Sequence, residues 1–87
     1  MLRDLCGAAM AKSIRSRRHR ALLAVLVASR REAGLTQQEA ADKMKWSQSK
    51  VAQIETGQRQ VYVSELFEFA TAYEVDPLEL FRRVTSW

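Results

Sequence analysis

The chain has 87 residues, of which 47% are hydrophobic and 28% are charged, and its formal net charge is +4. This length allows one small domain, and the longest apolar run, eight residues at positions 21–28, is far shorter than the ~20 residues that span a bilayer. A single cysteine, Cys6, excludes an internal disulfide and with His19 supplies too few ligands for a metal site. We therefore expect a cytoplasmic protein without a cofactor.

Three glycines and one proline interrupt the sequence, which favours helices with short connections over a turn-rich β fold. We predict an all-α domain over residues 19–87 after a basic extension at residues 1–18. Residues 1–31 carry eight Lys or Arg and one acidic residue, whereas residues 61–87 carry two and five. The basic front half favours a polyanion such as nucleic acid, although charge alone fits an ordinary solvated face equally well.

The first predicted helix covers about residues 19–33, and Gly34 is expected to end it in the left-handed conformation. Its core face consists of positions with helical spacing: Leu22, Val25, Leu26, Ser29 and Ala33. Leu23 and Val27 lie off that face, so we expect the N-terminal extension or a second subunit to cover them, unless they are simply exposed. The apolar residues that the extension offers are Leu2, Leu5 and Met10.

A second helix is predicted after Thr36, because Thr36 and Glu39 have the spacing of a capping box, in which each side chain bonds the other's backbone N–H. Ser47 is predicted to cap a third helix over residues 48–55, which Gly57 follows. The residues expected to pack this pair together are Ala40, Ala41, Met44, Trp46, Val51 and Ile54. Two short helices joined by about four residues form a helix-turn-helix.

A fourth helix is predicted to be capped by Ser64 and to reach Tyr73. Its apolar set is Leu66, Phe67, Phe69, Ala70 and Tyr73. A fifth helix is predicted after Asp76, since an Asp N-cap, Pro77 at the first helical position and Glu79 in the first turn all favour a helix start. Its apolar positions are Leu78, Leu80, Phe81 and Val84, and the last two form a candidate dimer surface with Trp87.

Four polar residues of the third helix are expected to face outward: Gln48, Ser49, Lys50 and Gln53. Glutamine can bond adenine in two places, lysine binds guanine or phosphate, and serine adapts to either base or backbone. Lys50 lies in the first turn, where no acidic neighbour offsets the positive end of the helix dipole. This unneutralised helix start suits a phosphate backbone, although a solvated helix start with a stray lysine has the same pattern.

The sequence resembles the Cro/XRE, lambda-repressor-like helix-turn-helix family in three strings. They are GLTQQEAA at residues 34–41, WSQSKV at 46–51 and IETG at 54–57. The resemblance spans about residues 19–84 and implies a five-helix DNA-binding domain that usually acts as a dimer on pseudo-palindromic operators.

The resemblance also implies roles for individual residues. Gln37 matches a phosphate-binding position, and Lys50 matches a position that touches base or backbone. The positions that match base-reading residues are Gln48, Ser49 and Gln53. The positions that match the loop beside the sugar-phosphate strand are Thr56, Gln58 and Arg59. Arg30 and Glu55 match a structural ion pair between the first and third helices.

The sequence departs from the family pattern at two turns and one loop. Lys45 and Glu74 stand where the family often has glycine, and each would cost about 1 kcal/mol if the left-handed turn is kept. The family's Asn-Pro after the third helix is replaced by Gln60, Val61 and Tyr62, a departure that affects the phosphate contacts of that loop.

We therefore expect a sequence-specific transcriptional regulator, a dimeric repressor that binds double-stranded DNA through residues 48–55. The alternative is an antitoxin-type or accessory module that binds a protein partner, such as a toxin, and autoregulates its operon. An enzyme that uses Cys6 and His19 is disfavoured, because neither an orienting third group nor an oxyanion loop accompanies them. A flexible basic arm onto the DNA backbone is a further hypothesis, with the residues Arg15, Arg17, Arg18 and Arg20.

Overall fold

The computed structural model describes residues 16–86, which form five helices. The helices are α1 (Arg17–Glu32), α2 (Gln37–Met44), α3 (Gln48–Glu55), α4 (Val63–Tyr73) and α5 (Pro77–Ser86). The predicted all-α helix-turn-helix fold is confirmed. The predictions for Leu2, Leu5, Cys6, Met10, Arg15 and Trp87 lie outside the described residues. Within residues 16–86, no helix is long and apolar enough to cross a membrane.

Helix α1 begins two residues earlier than the sequence predicts, because Ser16 is its N-cap. The Ser16 hydroxyl accepts a hydrogen bond from the His19 N–H at 3.0 Å and so satisfies one of the free donors of the first turn. Arg17, Arg18 and Arg20 therefore belong to a helix, and the hypothesis that they form a flexible arm is wrong.

The far end of α1 closes as predicted, with Gly34 at a φ of 75°. Its left-handed geometry lets the Leu35 N–H reach the Arg30 carbonyl at 3.1 Å, which is a typical helix C-terminal motif. Ala33, however, is exposed at the C-cap and does not join the core. At the end of α1, the side of the helix on which Ala33 lies no longer faces the core.

The core lies where α1, α4 and α5 meet the α2–α3 pair. Its fully buried side chains include Leu26, Val51, Ile54, Phe69 and Leu80. Leu23 is half-buried against this core, and its Cδ1 atom lies 3.4 Å from the position a Cβ would take on Gly57. The turn after α3 therefore covers part of Leu23, for which the sequence left open cover by the N-terminal extension, cover by a second subunit, or plain exposure.

Helix α4 begins at Val63, one residue before the predicted cap at Ser64. The reason is Glu65, whose carboxylate accepts a hydrogen bond from the Tyr62 N–H at 2.9 Å and fixes the helix start there. Phe67 does not join the predicted apolar set, since 52% of it is exposed. The predicted start of α5 is confirmed, because the Asp76 carboxylate accepts from the Leu78 N–H at 3.0 Å.

Two non-glycine residues, Lys45 and Glu74, adopt left-handed conformations with φ values of 60° and 57°. They end α2 and α4, where they occupy the C-cap positions. The left-handed turns are thus retained without glycine, and each carries the steric cost of a Cβ beside the following carbonyl.

We expect Glu74→Gly to raise the free energy of unfolding by about 0.5–1 kcal/mol, because relief at the left-handed turn exceeds the entropy that glycine adds to the unfolded chain. Urea denaturation measures the change. The matched control is Glu68→Gly at an exposed position inside α4, which should lower stability by about 1 kcal/mol. If both substitutions changed the free energy of unfolding in the same direction, the steric cost assigned to the left-handed conformation of Glu74 would be contradicted.

Candidate nucleic-acid interface

The packing of α3 against α2 determines which face of α3 is open to a ligand. Ala40 and Ala41 are fully buried where the two helices approach, and Val51 and Ile54 hold α3 on the core. The N-terminal end of α3 is left at the surface, where Gln48 and Ser49 are exposed. Ser47 caps this end by accepting from the Lys50 N–H at 3.1 Å.

An ion pair between Arg30 and Glu55 joins α1 to α3. The Arg30 Nε and Nη2 atoms donate to the two Glu55 oxygens at 2.8 and 3.2 Å, and its Nη1 donates to the Leu35 carbonyl at 2.8 Å. The side chains are only 11% and 4% exposed. The hydrogen bond with Glu55 raises the pKa of Arg30 above its ordinary value despite the opposing effect of burial.

The same carboxylate orients two glutamines. Glu55 Oε1 accepts from Gln37 Nε2 at 2.9 Å, and Gln37 Oε1 accepts from Gln48 Nε2 at 2.7 Å. A carboxylate only accepts, so the Gln37 amide must turn its nitrogen to Glu55 and its oxygen to Gln48. Gln48 consequently keeps its carbonyl oxygen and one N–H for a further partner. These two hydrogen bonds place an oriented Gln48 amide at the exposed start of α3.

Tyr73 lies close enough to this ion pair for both charges to act on its hydroxyl. Burial raises the pKa of Tyr73 well above its usual value, and the negative charge of Glu55 adds to that effect while Arg30 opposes it. The hydroxyl therefore stays neutral. Within residues 16–86 it is buried without a hydrogen-bond partner.

Lys50 does not have the environment that the sequence predicts. Its Nζ forms a salt bridge of 2.9 Å with Glu65 Oε2 on α4 and lies 3.9 Å from the centroid of the Trp46 ring. Only 24% of the Lys50 side chain is exposed. The expected outward-facing, unneutralised lysine is therefore wrong, because an acid fifteen positions away in sequence is brought beside it by the packing of α4.

The loop after α3 is tied to the end of that helix. The N–H groups of Gln58 and Arg59 both donate to the Gln53 carbonyl, at 2.8 and 3.1 Å, and Arg59 Nε donates to Gln53 Oε1 at 3.2 Å. The Thr56 hydroxyl donates back to the Ala52 carbonyl at 2.9 Å. These contacts hold the exposed Gln58 and Arg59 beside the half-buried Gln53.

The structure thus gathers most of the predicted site residues into two groups and separates one. Gln37 and Gln48 are hydrogen-bonded at the start of α3, whereas Gln53 and Arg59 are bonded at its end. Lys50 is turned toward α4. The sequence did not identify Glu65 as part of this surface. Its local signal was its position three residues after Tyr62, which favours a hydrogen bond at the start of α4 but does not indicate a contact with Lys50.

This geometry is that of a known family. A model described as "Helix-turn-helix domain" matches residues 9–82. An XRE-family like protein from Pseudomonas syringae pv. tomato str. DC3000 is 32% identical, with a TM-score of 0.78 over 88% of this chain and 94% of that chain. The chain belongs to the Cro/XRE-like helix-turn-helix family. Membership makes it a DNA-binding transcriptional regulator.

A second solved structure agrees with the XRE-like fold. The clp gene regulator ClgR from C. glutamicum has a TM-score of 0.72 and 22% identity over 79% of this chain and 90% of that chain. At this identity the likeness concerns the fold alone. No curated protein matches the sequence.

Removal of Arg30 should strongly destabilise this XRE-like domain. Arg30→Ala leaves the buried Glu55 carboxylate without its cation, so we expect a loss of about 3–5 kcal/mol in the free energy of unfolding. Urea or thermal denaturation measures the loss. Arg82→Ala is the control, because Arg82 pairs with Glu79 at the surface, and it should change stability by less than about 1 kcal/mol. If the two substitutions lowered the free energy of unfolding equally, burial of the Arg30–Glu55 pair would not increase the cost of losing its cation.

Proposed function

We propose that this protein is a dimeric repressor that reads the major groove of double-stranded DNA with α3. The observation that carries the proposal is the oriented amide of Gln48 at the exposed start of α3. An α-helix fits the major groove, where each base pair presents a distinct pattern of donors and acceptors. A side chain whose donor and acceptor are fixed before binding discriminates between those patterns at a low entropic cost.

The remaining residues divide between base edges and backbone. The free oxygen and N–H of Gln48 suit adenine, which offers a donor and an acceptor in the major groove. Ser49 and Gln53 contact neighbouring base edges. The second N–H of Gln37 and the loop side chains of Gln58 and Arg59 bind phosphate and fix the register of α3. The Thr56 hydroxyl, which donates its proton to the Ala52 carbonyl, holds the end of α3 in place beside them.

An exposed apolar face on α5 supports the proposed dimer, and the small size of the domain is compatible with repression. Leu78 and Phe81 on α5 are 68% and 41% exposed, and an apolar helix face of this kind is suited to a symmetric contact with a second copy. Repression requires only that a bound protein occupies the DNA that a polymerase needs. A DNA-binding domain of this size satisfies that requirement without further chemistry.

A protein-binding module of the antitoxin or accessory type is the second candidate. It is favoured by three large apolar side chains that are exposed around the start of α4: Tyr62, Val63 and Phe67. An antitoxin that autoregulates its operon also binds a specific DNA sequence, so a stoichiometric protein partner that co-purifies with the chain is the result that would favour this candidate over the regulator.

Gln48→Ala should weaken binding in a base-dependent manner. We expect a loss of about 1–3 kcal/mol on the preferred site and a relaxed preference at one base pair of each half-site, because the amide that reads that base is gone. Binding titrations on the site and on its single-base variants measure both effects.

Arg59→Ala is the matched comparison, because a phosphate contact carries no base information. It should weaken binding equally to duplexes that differ only at the base pair read by Gln48, and reduce the slope of log K against log salt concentration by about 0.9. A uniform loss for Gln48→Ala would contradict base readout by that side chain.

Selection of bound fragments from random duplex DNA should return two half-sites in inverted orientation. If the protein binds as a symmetric dimer, the centres of the half-sites should lie about one helical turn, roughly 34–36 Å, or a multiple of it apart. Sequencing of the selected fragments measures the spacing. A single unpaired half-site would contradict the dimer while leaving base-specific binding intact.

A further inference from the structure

Lys50 and Glu65 form a charge pair beside the proposed DNA surface, and neither residue is free to act alone. Lys50 Nζ lies 2.9 Å from Glu65 Oε2, in a pair whose side chains are 24% and 16% exposed. We propose that Glu65 withholds Lys50 from DNA and thereby lowers the affinity for every duplex sequence. This inference rests on the proposed function, since it concerns the same DNA surface.

Glu65 is held in place by contacts at both of its carboxylate oxygens. Oε1 accepts from the Tyr62 N–H at 2.9 Å, and Oε2 accepts from Lys50. Burial opposes ionisation, but the hydrogen bonds from Tyr62 and Lys50 and the positive charge of Arg59 outweigh it, so the pKa of Glu65 lies below its usual value. The residue is therefore a fixed negative charge that acts on two cations of the surface.

Lys50 is held from its other side by an aromatic ring. Its Nζ lies 3.9 Å from the centroid of Trp46, and Trp46 packs edge-on against Phe69 at a centroid distance of 5.3 Å. The ammonium group thus has a carboxylate and a π face as partners. A phosphate that approaches Lys50 meets a neutralised cation with a carboxylate next to it.

The consequence concerns affinity and not sequence preference. A lysine that contacts phosphate releases one counterion and adds about 0.9 to the salt slope, whatever the bases are. A lysine already paired with Glu65 adds nothing to that slope. Glu65 is therefore an affinity-setting residue that leaves base readout by Gln48 unchanged.

The substitution Glu65→Gln tests the proposal with little disturbance of the fold. A glutamine oxygen can still accept from the Tyr62 N–H, but its NH₂ group cannot accept from Lys50. We expect tighter binding to the preferred site and to an unrelated duplex in the same ratio, with a salt slope steeper by about 0.9. That slope makes the gain about threefold larger in 50 mM than in 200 mM salt.

Three control proteins make the result specific. Glu68→Gln removes the same charge from an exposed position of the same helix and should leave the slope unchanged. Lys50→Met combined with Glu65→Gln removes both charges of the pair and should restore the wild-type slope, whereas Lys50→Met alone leaves Glu65 without its cation and should not raise the affinity. Thermal unfolding of each variant verifies that the domain is folded at the temperature of the titrations.

Each contrary outcome has a distinct meaning. An unchanged affinity and slope for folded Glu65→Gln would overturn the proposal. So would a gain that survives Lys50→Met, or a slope for the double variant that is shallower than that of the wild-type protein, since Lys50 would then already contact phosphate. If the wild-type protein binds no duplex selectively at low salt, the proposed function itself fails.

Discussion

The carboxylate of Glu55 is the group on which the arrangement of the proposed DNA surface depends. It neutralises Arg30 of α1, accepts from Gln37 of α2 and belongs to α3, so one buried charge joins three helices. A buried ion pair is weak evidence for stability by itself, because desolvation offsets much of the attraction. Here its demonstrable consequence is orientation, since an acceptor-only group determines which way each glutamine amide must point.

A second constraint is the distribution of charge around α3. The chain is basic in its first third and acidic in its last third, and the fold brings Glu65 of the acidic part against Lys50 of α3. Tight attraction for phosphate strengthens specific and non-specific binding together. In the proposed arrangement, an acid among the cations of the surface limits non-specific binding, while hydrogen bonds to base edges retain the discrimination between sequences.

Much of the fold could be predicted because its signals are local. Thr36, Ser47 and Asp76 each cap a helix through contacts within three residues, and such contacts depend on few distant atoms. The helix-turn-helix pair was predictable for a similar reason, since small and branched apolar residues recur with helical spacing. Where the prediction was wrong by a residue or two, another local acceptor fixed the boundary: the Ser16 hydroxyl at the start of α1 and the Glu65 carboxylate, which accepts from the Tyr62 N–H, at the start of α4.

The sequence by itself therefore determined the five helices, the caps of α2, α3 and α5, the turn between α2 and α3, and the exposed amide-rich start of α3. Only the tertiary structure decided that Lys50 is paired with Glu65, that Leu23 packs beside Gly57 and that Phe67 is exposed. These outcomes depend on how α4 and α1 lie against α3. Helical spacing defines which residues share a face, but the neighbour that each face meets is set by the packing of the whole domain.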